Sequence, residues 1–598
     1  MTTGNNNQPP DPNDPYVYFV PGEVIFGIEV SRPLQGIDIF RSKSTLATAI
    51  TTAINDASKE YRTFDITPSI DEERPTWIIL PTDDQSSILH VKLTLSGLGD
   101  VENNDNREKN RDGLANYIVK VAEALLPASI DGPPISVSAI PGIPLKSGGI
   151  EVASIRTIMP NWVSRGAPSQ IGTGGPGGQP EEFIGTSTSK IEFDTSVLDD
   201  SITNFGAITP LFSESTNQQV DVYVLDTIPQ LSEENPLCMP LGAVADTTKA
   251  KYDSHPLIGL LRQCFQLRPA TTDVPEHYAT GVGINGNDKF TLTYAKHLQN
   301  SSFNAITKHQ IDVHEANESP EHGTFIAGIV MELAPNANVH IIEVLNSKGV
   351  GTTESVLAGL AEVARRHGKS ENTIAIVNCS FTFALPILTT SQLTSHITRE
   401  LPLSLIRLLA DPRGQNMIET FFSGVFPSNN TGHIVARFDP TPKPTERFRI
   451  VAAAGNDSDR NGENKTVVPT AIPPTVGEPR YPARYRGVLG VGALTKVGHQ
   501  IANYSNQADI PEKEGLLTLG KITSVFTKGL SNAVASSPKR TGFVTWQGTS
   551  FAAAVISGML AKICTERKCG VNVAEQIIRA AQTEKIDNSE VIDISQNL

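Results

Sequence analysis

From about residue 200 to 590, short apolar runs of strand length alternate with helical patterns, and this constrains the fold more than any other feature. Val220–Leu225, His340–Leu345, Thr373–Asn378, Arg449–Ala454 and Val488–Ala493 are mostly apolar, as strands buried on both faces are. Between them, Thr353–Arg366 carries helical spacing. Gly548–Cys564 is apolar nearly all round, which marks a buried helix. Strands alternating with helices predict an α/β fold, a mostly parallel sheet with helices on both faces.

The first part of the chain reads differently. Residues 1–15 are polar and proline-rich, the composition of a disordered tail. Residues 16–163 follow a β-α-β-β-α-β order. Tyr16–Val30 is a strand, Ser44–Tyr61 a helix, Trp77–Leu80 and Ile88–Leu95 a hairpin, and Asp112–Leu126 an amphipathic helix. Ile135–Ile140 and Glu151–Trp162 compete for the closing strand. That order predicts a separate α+β domain of ferredoxin-like type. Residues 164–199 read as a linker, because Ile171–Pro180 (IGTGGPGGQP) cannot pack a core. The α/β domain then spans 200–598.

Composition excludes several functions. With 49 basic and 64 acidic residues the net charge is −15, which repels phosphate backbones and argues against nucleic acid as a partner. Five cysteines in 598 residues make no disulfide framework. The N-terminus lacks the basic and apolar regions of a secretory signal, and no uncharged apolar run reaches membrane-spanning length. The expectation is a cytoplasmic protein that engages no membrane.

Three segments carry chemistry. A buried strand ends in Asp226-Thr227, at the strand end where ligand-facing groups gather in open α/β sheets. His322 opens the segment HGTFIAG. Ser550 sits at the start of the buried helix in GTSFAAAVISG, where free amides and the helix dipole favour a developing negative charge. Each alone is commonplace: a strand-end cap, a surface histidine, a helix cap. Together, in the order Asp, His, Ser, they match one chain order among the serine hydrolases. RIVAAAGND (449–457) adds a strand running into a Gly-Asn turn.

On Asp226-Thr227, His322-Gly323-Thr324, Ala454-Gly455-Asn456 and Gly548-Thr549-Ser550, the chain resembles the subtilisin-like (S8, subtilase) serine peptidases. APNANVHIIEVL, TIAIVNCS, YPARYRGVLGVGAL and ANYSN are similar to further blocks of that family. The resemblance implies a serine endopeptidase acting on protein or peptide substrates. It makes Ser550 the nucleophile, His322 the general base and then acid, and Asp226 the group that orients the imidazole. It makes Asn456 an oxyanion donor. It also places substrate along Ser380 and Phe381. No cofactor is implied for the chemistry; structural calcium is frequent in the family, but no motif maps its ligands here.

The chain departs from the family at Phe325, where a second His often stands, and at Ala554 and Val555, where Pro and His are common. More consequential is Ser380-Phe381-Thr382-Phe383 in place of a glycine-containing stretch, which leaves cleavage specificity open. The spacings Asp226 to His322 and Ser380 to Asn456 are long, implying insertions near 228–310 and 384–446. Many subtilases carry an N-terminal prodomain of ferredoxin-like topology that caps the active site. YFVPGEVIFGI (18–28) and Met159-Pro160-Asn161-Trp162 resemble its opening and its end. The resemblance therefore implies a precursor inhibited by its own N-terminal domain, cut between Trp162 and Asp200. The competing readings are a retained regulatory domain and a catalytically silent binding module. Cys564 and Cys569 have no second ligand pair for zinc, His314-Glu315 lacks the second His of a zincin motif, and Cys379 reads as a buried hydrophobe.

Overall fold

The computed structural model describes residues 19–30, 68–69, 77–81, 87–95, 143–144, 150–151, 153–166, 181–182, 192–212, 217–229, 257–261, 282–283, 289–295, 321–347, 349–367, 372–383, 385, 422, 446–458, 460, 477–495, 500–510, 513–526, 543–582, 584–586, 589–592 and 596–597. In the N-terminal region these include β1 (Phe19–Val30), β2 (Trp77–Pro81), β3 (Ser87–Leu95) and β4 (Ala153–Gly166). They pair antiparallel in the order β4-β1-β3-β2. The inner face is apolar: Val24, Phe26 and Ile28 are buried, and Phe19 meets Trp162 edge to face. Of the two candidates for the closing strand, 153–166 pairs with β1, while 135–140 lies outside the described residues. The helices expected at 44–61 and 112–126 also lie outside them, as does nearly all of both insertions.

The second sheet is built from β5 (Gln219–Asp226), β6 (Phe290–Thr293), β7 (Asn338–Glu343), β9 (Thr373–Cys379), β11 (Phe448–Ala453), β12 (Val488–Leu494), β13 (Leu516–Leu519) and β16 (Ser589–Val591). They run parallel in the order β6-β7-β5-β9-β11-β12-β13-β16, with short antiparallel strands at both edges. Helices α1 (His322–Leu333) and α3 (Thr549–Arg567) cover one face; α2 (Thr353–His367) lies on the other, and α4 (Val571–Ala580) packs beside α3. The short strands β8 (Val350–Thr352) and β10 (Phe381–Phe383) follow β7 and β9. A hairpin of β14 (Lys521–Val525) and β15 (Phe543–Gln547) precedes α3.

Strand alternation decides which side chains meet which helices. Val220, Val222 and Val224 share a core with Ile326, Ile329 and Ala553 of α1 and α3. Asp226, two residues on, takes the same face as Val224, toward α1. Leu225 takes the other face, against Gly359 of α2. Helix α3 is buried along most of its length, as its all-round apolar sequence requires. Among the described residues, no helix is long and apolar enough to cross a membrane.

The N-terminal sheet does not stand apart. Val163–Gly166 of β4 runs between β8 and β10 and pairs antiparallel with both. Beside this seam, Lys92 Nζ lies 3.3 Å from Glu23 Oε1 and 2.7 Å from Glu354 Oε2. Asn161 Nδ2 donates to Glu23 Oε2 at 2.6 Å, and Asn161 Oδ1 accepts the Glu354 backbone N–H at 3.1 Å, serving as a cap for α2. Burial alone would lower the Lys92 pKa; the two carboxylates outweigh it and hold the ammonium above its ordinary value. Glu23 is raised by burial and by Glu354, against the pull of Lys92.

Candidate active site

Three elements deliver three side chains to the carboxyl rim of the parallel sheet. Asp226 ends β5, His322 opens α1 and Ser550 is the second residue of α3. All three are almost fully buried. His322 Nδ1 lies 2.8 Å from Asp226 Oδ1 and 3.0 Å from Oδ2. Asp226 Oδ1 also accepts the Thr227 N–H at 2.7 Å, which fixes the carboxylate against the chain.

Gly323 allows this approach. A Cβ there would stand 2.2 Å from the Thr227 carbonyl oxygen, so any other residue would push α1 off the strand end. The Gly323 N–H then reaches Thr227 Oγ1 at 3.1 Å. The imidazole is walled by aromatic rings: Trp546 and Phe551 each lie 5.5 Å from it between centroids. Phe325, at the position of the family's second His, packs against both rings and belongs to that wall.

Two buried polar atoms at the rim lack a protein partner: His322 Nε2 and Asn456 Nδ2. Buried polar groups are nearly always paired, so each of these two atoms stands out as a group able to take a partner. The Asn456 amide is not free to turn over. Its Oδ1 accepts the Thr549 N–H at 3.0 Å and the Thr549 hydroxyl at 2.9 Å, so Nδ2 must face away from Thr549. The Gly455 N–H donates to the same Thr549 hydroxyl at 3.2 Å. Gly455 has φ +114°, which L side chains rarely adopt, so the turn holding Asn456 depends on glycine. In the sequence Thr549 is only a motif neighbour of Ser550; its grip on Asn456 has no linear signal.

Ser550 Oγ donates to the Ser380 carbonyl at 3.2 Å, and Ser380 Oγ, with one proton to give, lies 3.0 Å from the Ser550 carbonyl and 2.8 Å from Asn378 Oδ1. Ser380 thus touches the hydroxyl-bearing residue directly. Phe381 next to it is buried. Its ring meets Phe383, which meets Phe422, which stacks on Tyr481 at 4.3 Å. The pair noted as a departure forms part of an aromatic cluster, while its backbone pairs with β4. Cys379 is buried, and burial together with the nearby Asp226 pushes its thiol well up, so it stays protonated and unreactive. Cys564 and Cys569 are likewise buried. Among the described residues, no group of three or more His, Cys, Asp or Glu could hold a metal ion.

The subtilase family profile (peptidase S8) matches residues 195–591, about two thirds of the chain. The chain belongs to the subtilase family. Among solved structures, a cold-adapted subtilisin-like serine proteinase matches at 16% identity, covering 66% of this chain and 97% of that one, with a TM-score of 0.30. No curated protein sequence matches. Membership in a family of serine peptidases makes a hydrolase of protein substrates the coarse functional class. The profile begins after β4, so the N-terminal sheet stands outside the matched part of this subtilase.

One further carboxyl lies beside the site. Glu343, paired in register with Asp226, is pushed up to about 7 by burial, against one hydrogen bond from the Ala295 N–H at 2.7 Å. A folded-state value above the ordinary 4.5 costs nothing below that pH and its full amount above about 7. Glu343→Gln should therefore leave stability unchanged at pH 4 and raise it by about 2 kcal/mol at pH 8, allowing for partial exposure. Denaturant midpoints at the two pH values read this out.

Proposed function

We propose that this subtilase is a serine endopeptidase working through Asp226, His322 and Ser550 and an acyl-enzyme, and that its N-terminal domain holds it as a latent precursor. The observation that carries the first part is the buried Asp226–His322 pair with Nε2 left unpartnered at the rim where Ser550 begins a helix. With the Nδ1 proton held by the carboxylate, Nε2 is the basic nitrogen. The mechanism requires the Ser550 hydroxyl to turn from the Ser380 carbonyl toward this nitrogen. His322 takes the Oγ proton as Oγ attacks the substrate carbonyl, and returns it to the leaving nitrogen. Asn456 Nδ2, with the Ser550 N–H, receives the oxyanion. Water then repeats the sequence on the ester.

The latency reading rests on β4. An antiparallel strand in the groove between β8 and β10 takes the backbone pairing that an extended substrate would use. Gly166 N donates to the Gly349 carbonyl at 2.9 Å, and a Cβ on Gly166 would stand 3.9 Å from His322 Nδ1. We read the N-terminal region as ferredoxin-like in full, its strand order β4-β1-β3-β2 being the support.

A fluorophosphonate probe tests both parts. The wild-type chain should react slowly. Lys92→Met leaves Glu23 and Glu354 facing each other without their cation, a change of the kind that costs about 3–5 kcal/mol. It should loosen the N-terminal domain and speed labelling of Ser550 by at least about tenfold. No labelling of either protein would leave the binding-module reading standing. Equal, fast labelling of both would remove the latency reading.

A further inference from the structure

The segment that leads from Arg480 into β12 turns three backbone carbonyls toward one point. At its start the Tyr481 carbonyl accepts the Phe383 N–H at 2.8 Å, and the Tyr481 ring stacks on Phe422, so the segment lies against β10. Further on, Lys513 Nζ donates to the Ala483 carbonyl, to that of Tyr485 at 3.2 Å and to that of Val488 at 2.6 Å. Ala483, Tyr485 and Val488 are all buried. An ammonium has three N–H donors and no acceptor, so these three oxygens use it in full. The root of the side chain is fixed as well. Lys513 and Ile510 exchange backbone hydrogen bonds of 3.0 Å in each direction, in the turn before β13.

Three carbonyl oxygens aimed at one point set their negative ends against one another. A positive centre among them removes that repulsion and replaces the water each oxygen has lost. Dissolved ions are held in the same way: backbone carbonyls are ordinary ligands of calcium, at about 2.3–2.6 Å, and rings of them replace the hydration shell of potassium. The 2.6 Å from Lys513 Nζ to the Val488 carbonyl falls within reach of that geometry.

We propose that Lys513 is a tethered cation, whose ammonium fills a carbonyl cage that would otherwise take a dissolved hard cation of the potassium or calcium kind. The charge belongs to the chain, so it is neither diluted nor removed by a chelator. The segment against β10 therefore keeps its shape whatever the salt. None of this depends on the peptidase reading.

Melting temperatures of the full-length protein test it, in tetramethylammonium, potassium and calcium chlorides at one ionic strength. Tetramethylammonium is too large for the cage. Lys513→Ala should melt at least about 3 °C below wild type in tetramethylammonium, with three buried carbonyls left unmet. Potassium or calcium should return most of that loss, saturably, and should give wild type no comparable gain. A variant that responds to neither ion overturns the proposal, and so does a wild type that gains as much as the variant. Should Lys513→Ala not fold in any of the three salts, amine acylation of the native wild type decides, read peptide by peptide by mass spectrometry. Lys513 should then react at least about tenfold more slowly than the exposed Lys568, since its ammonium must first leave three acceptors. Equal rates would overturn the cage.

Discussion

Replacing Ser550 with alanine should lower turnover of a peptide substrate by about 10⁶-fold, a scale borrowed from subtilisin itself. The comparison is made in the Lys92→Met background, where the N-terminal domain is expected to loosen from the groove. The size of the effect follows from what is lost. Without Oγ there is no covalent intermediate, and His322 and Asp226 have no proton to manage. What remains is oxyanion binding to a water-derived adduct. The fold should not suffer. Ser550 Oγ donates to the Ser380 carbonyl, and the alanine variant keeps the Ser550 backbone carbonyl within reach of Ser380 Oγ at 3.0 Å. A melting temperature near wild type, with hydrolysis gone, is the expected pair of results. Retained hydrolysis would move the nucleophile elsewhere.

Asn456→Ala should lower kcat by about 10²–10³, or roughly 3–4 kcal/mol, with KM nearly unchanged; this scale too comes from subtilisin. The reason is that Nδ2 has no partner in the resting site. It gains one only when the substrate oxygen takes up charge, so the bond is made in the transition state and not before. Alanine has a second effect. It strips the Thr549 N–H and hydroxyl of their shared acceptor, and a buried N–H left unmet costs about 1–3 kcal/mol. Asn456→Asp separates the two effects. It keeps an acceptor for Thr549 but puts negative charge where the oxyanion forms. Activity should fall further than in Asn456→Ala while the melting temperature recovers. A KM change in place of a kcat change would mean that Asn456 binds ground-state substrate.

Much of this was readable along the chain because it depends on local order. Apolar runs such as Val220–Leu225 can only be buried strands, and the parallel sheet follows from their alternation with helices. Asp226, His322, Asn456 and Ser550 stand in short motifs, because each must sit where a strand or helix begins or ends. Gly323 and Gly455 sit beside them for steric reasons that any chain with this site shares. The long spacings between motifs said that loops had grown, but nothing about where they lie.

Other features had no linear trace. Phe325 and Phe381 looked like departures. In space, one backs the imidazole and the other joins an aromatic cluster with Phe383, Phe422 and Tyr481, residues far apart in the chain. The Gly- and Pro-rich composition of Ile171–Pro180 puts a linker at 164–199. The strand runs on to Gly166 because β8 and β10 supply backbone partners on both sides. Hydrogen-bonding capacity of the main chain is the same in every residue but proline, so composition cannot show where it is spent.

What the amino-acid order determined by itself was therefore the parallel sheet, the family and the residues proposed for acyl transfer. These rest on burial periodicity and on side chains with few substitutes. What only the tertiary structure decided was the flip of the Asn456 amide, the resting partner of Ser550 and the strand that fills the groove. Those depend on distances between groups from distant segments, which close packing sets and a linear string does not contain.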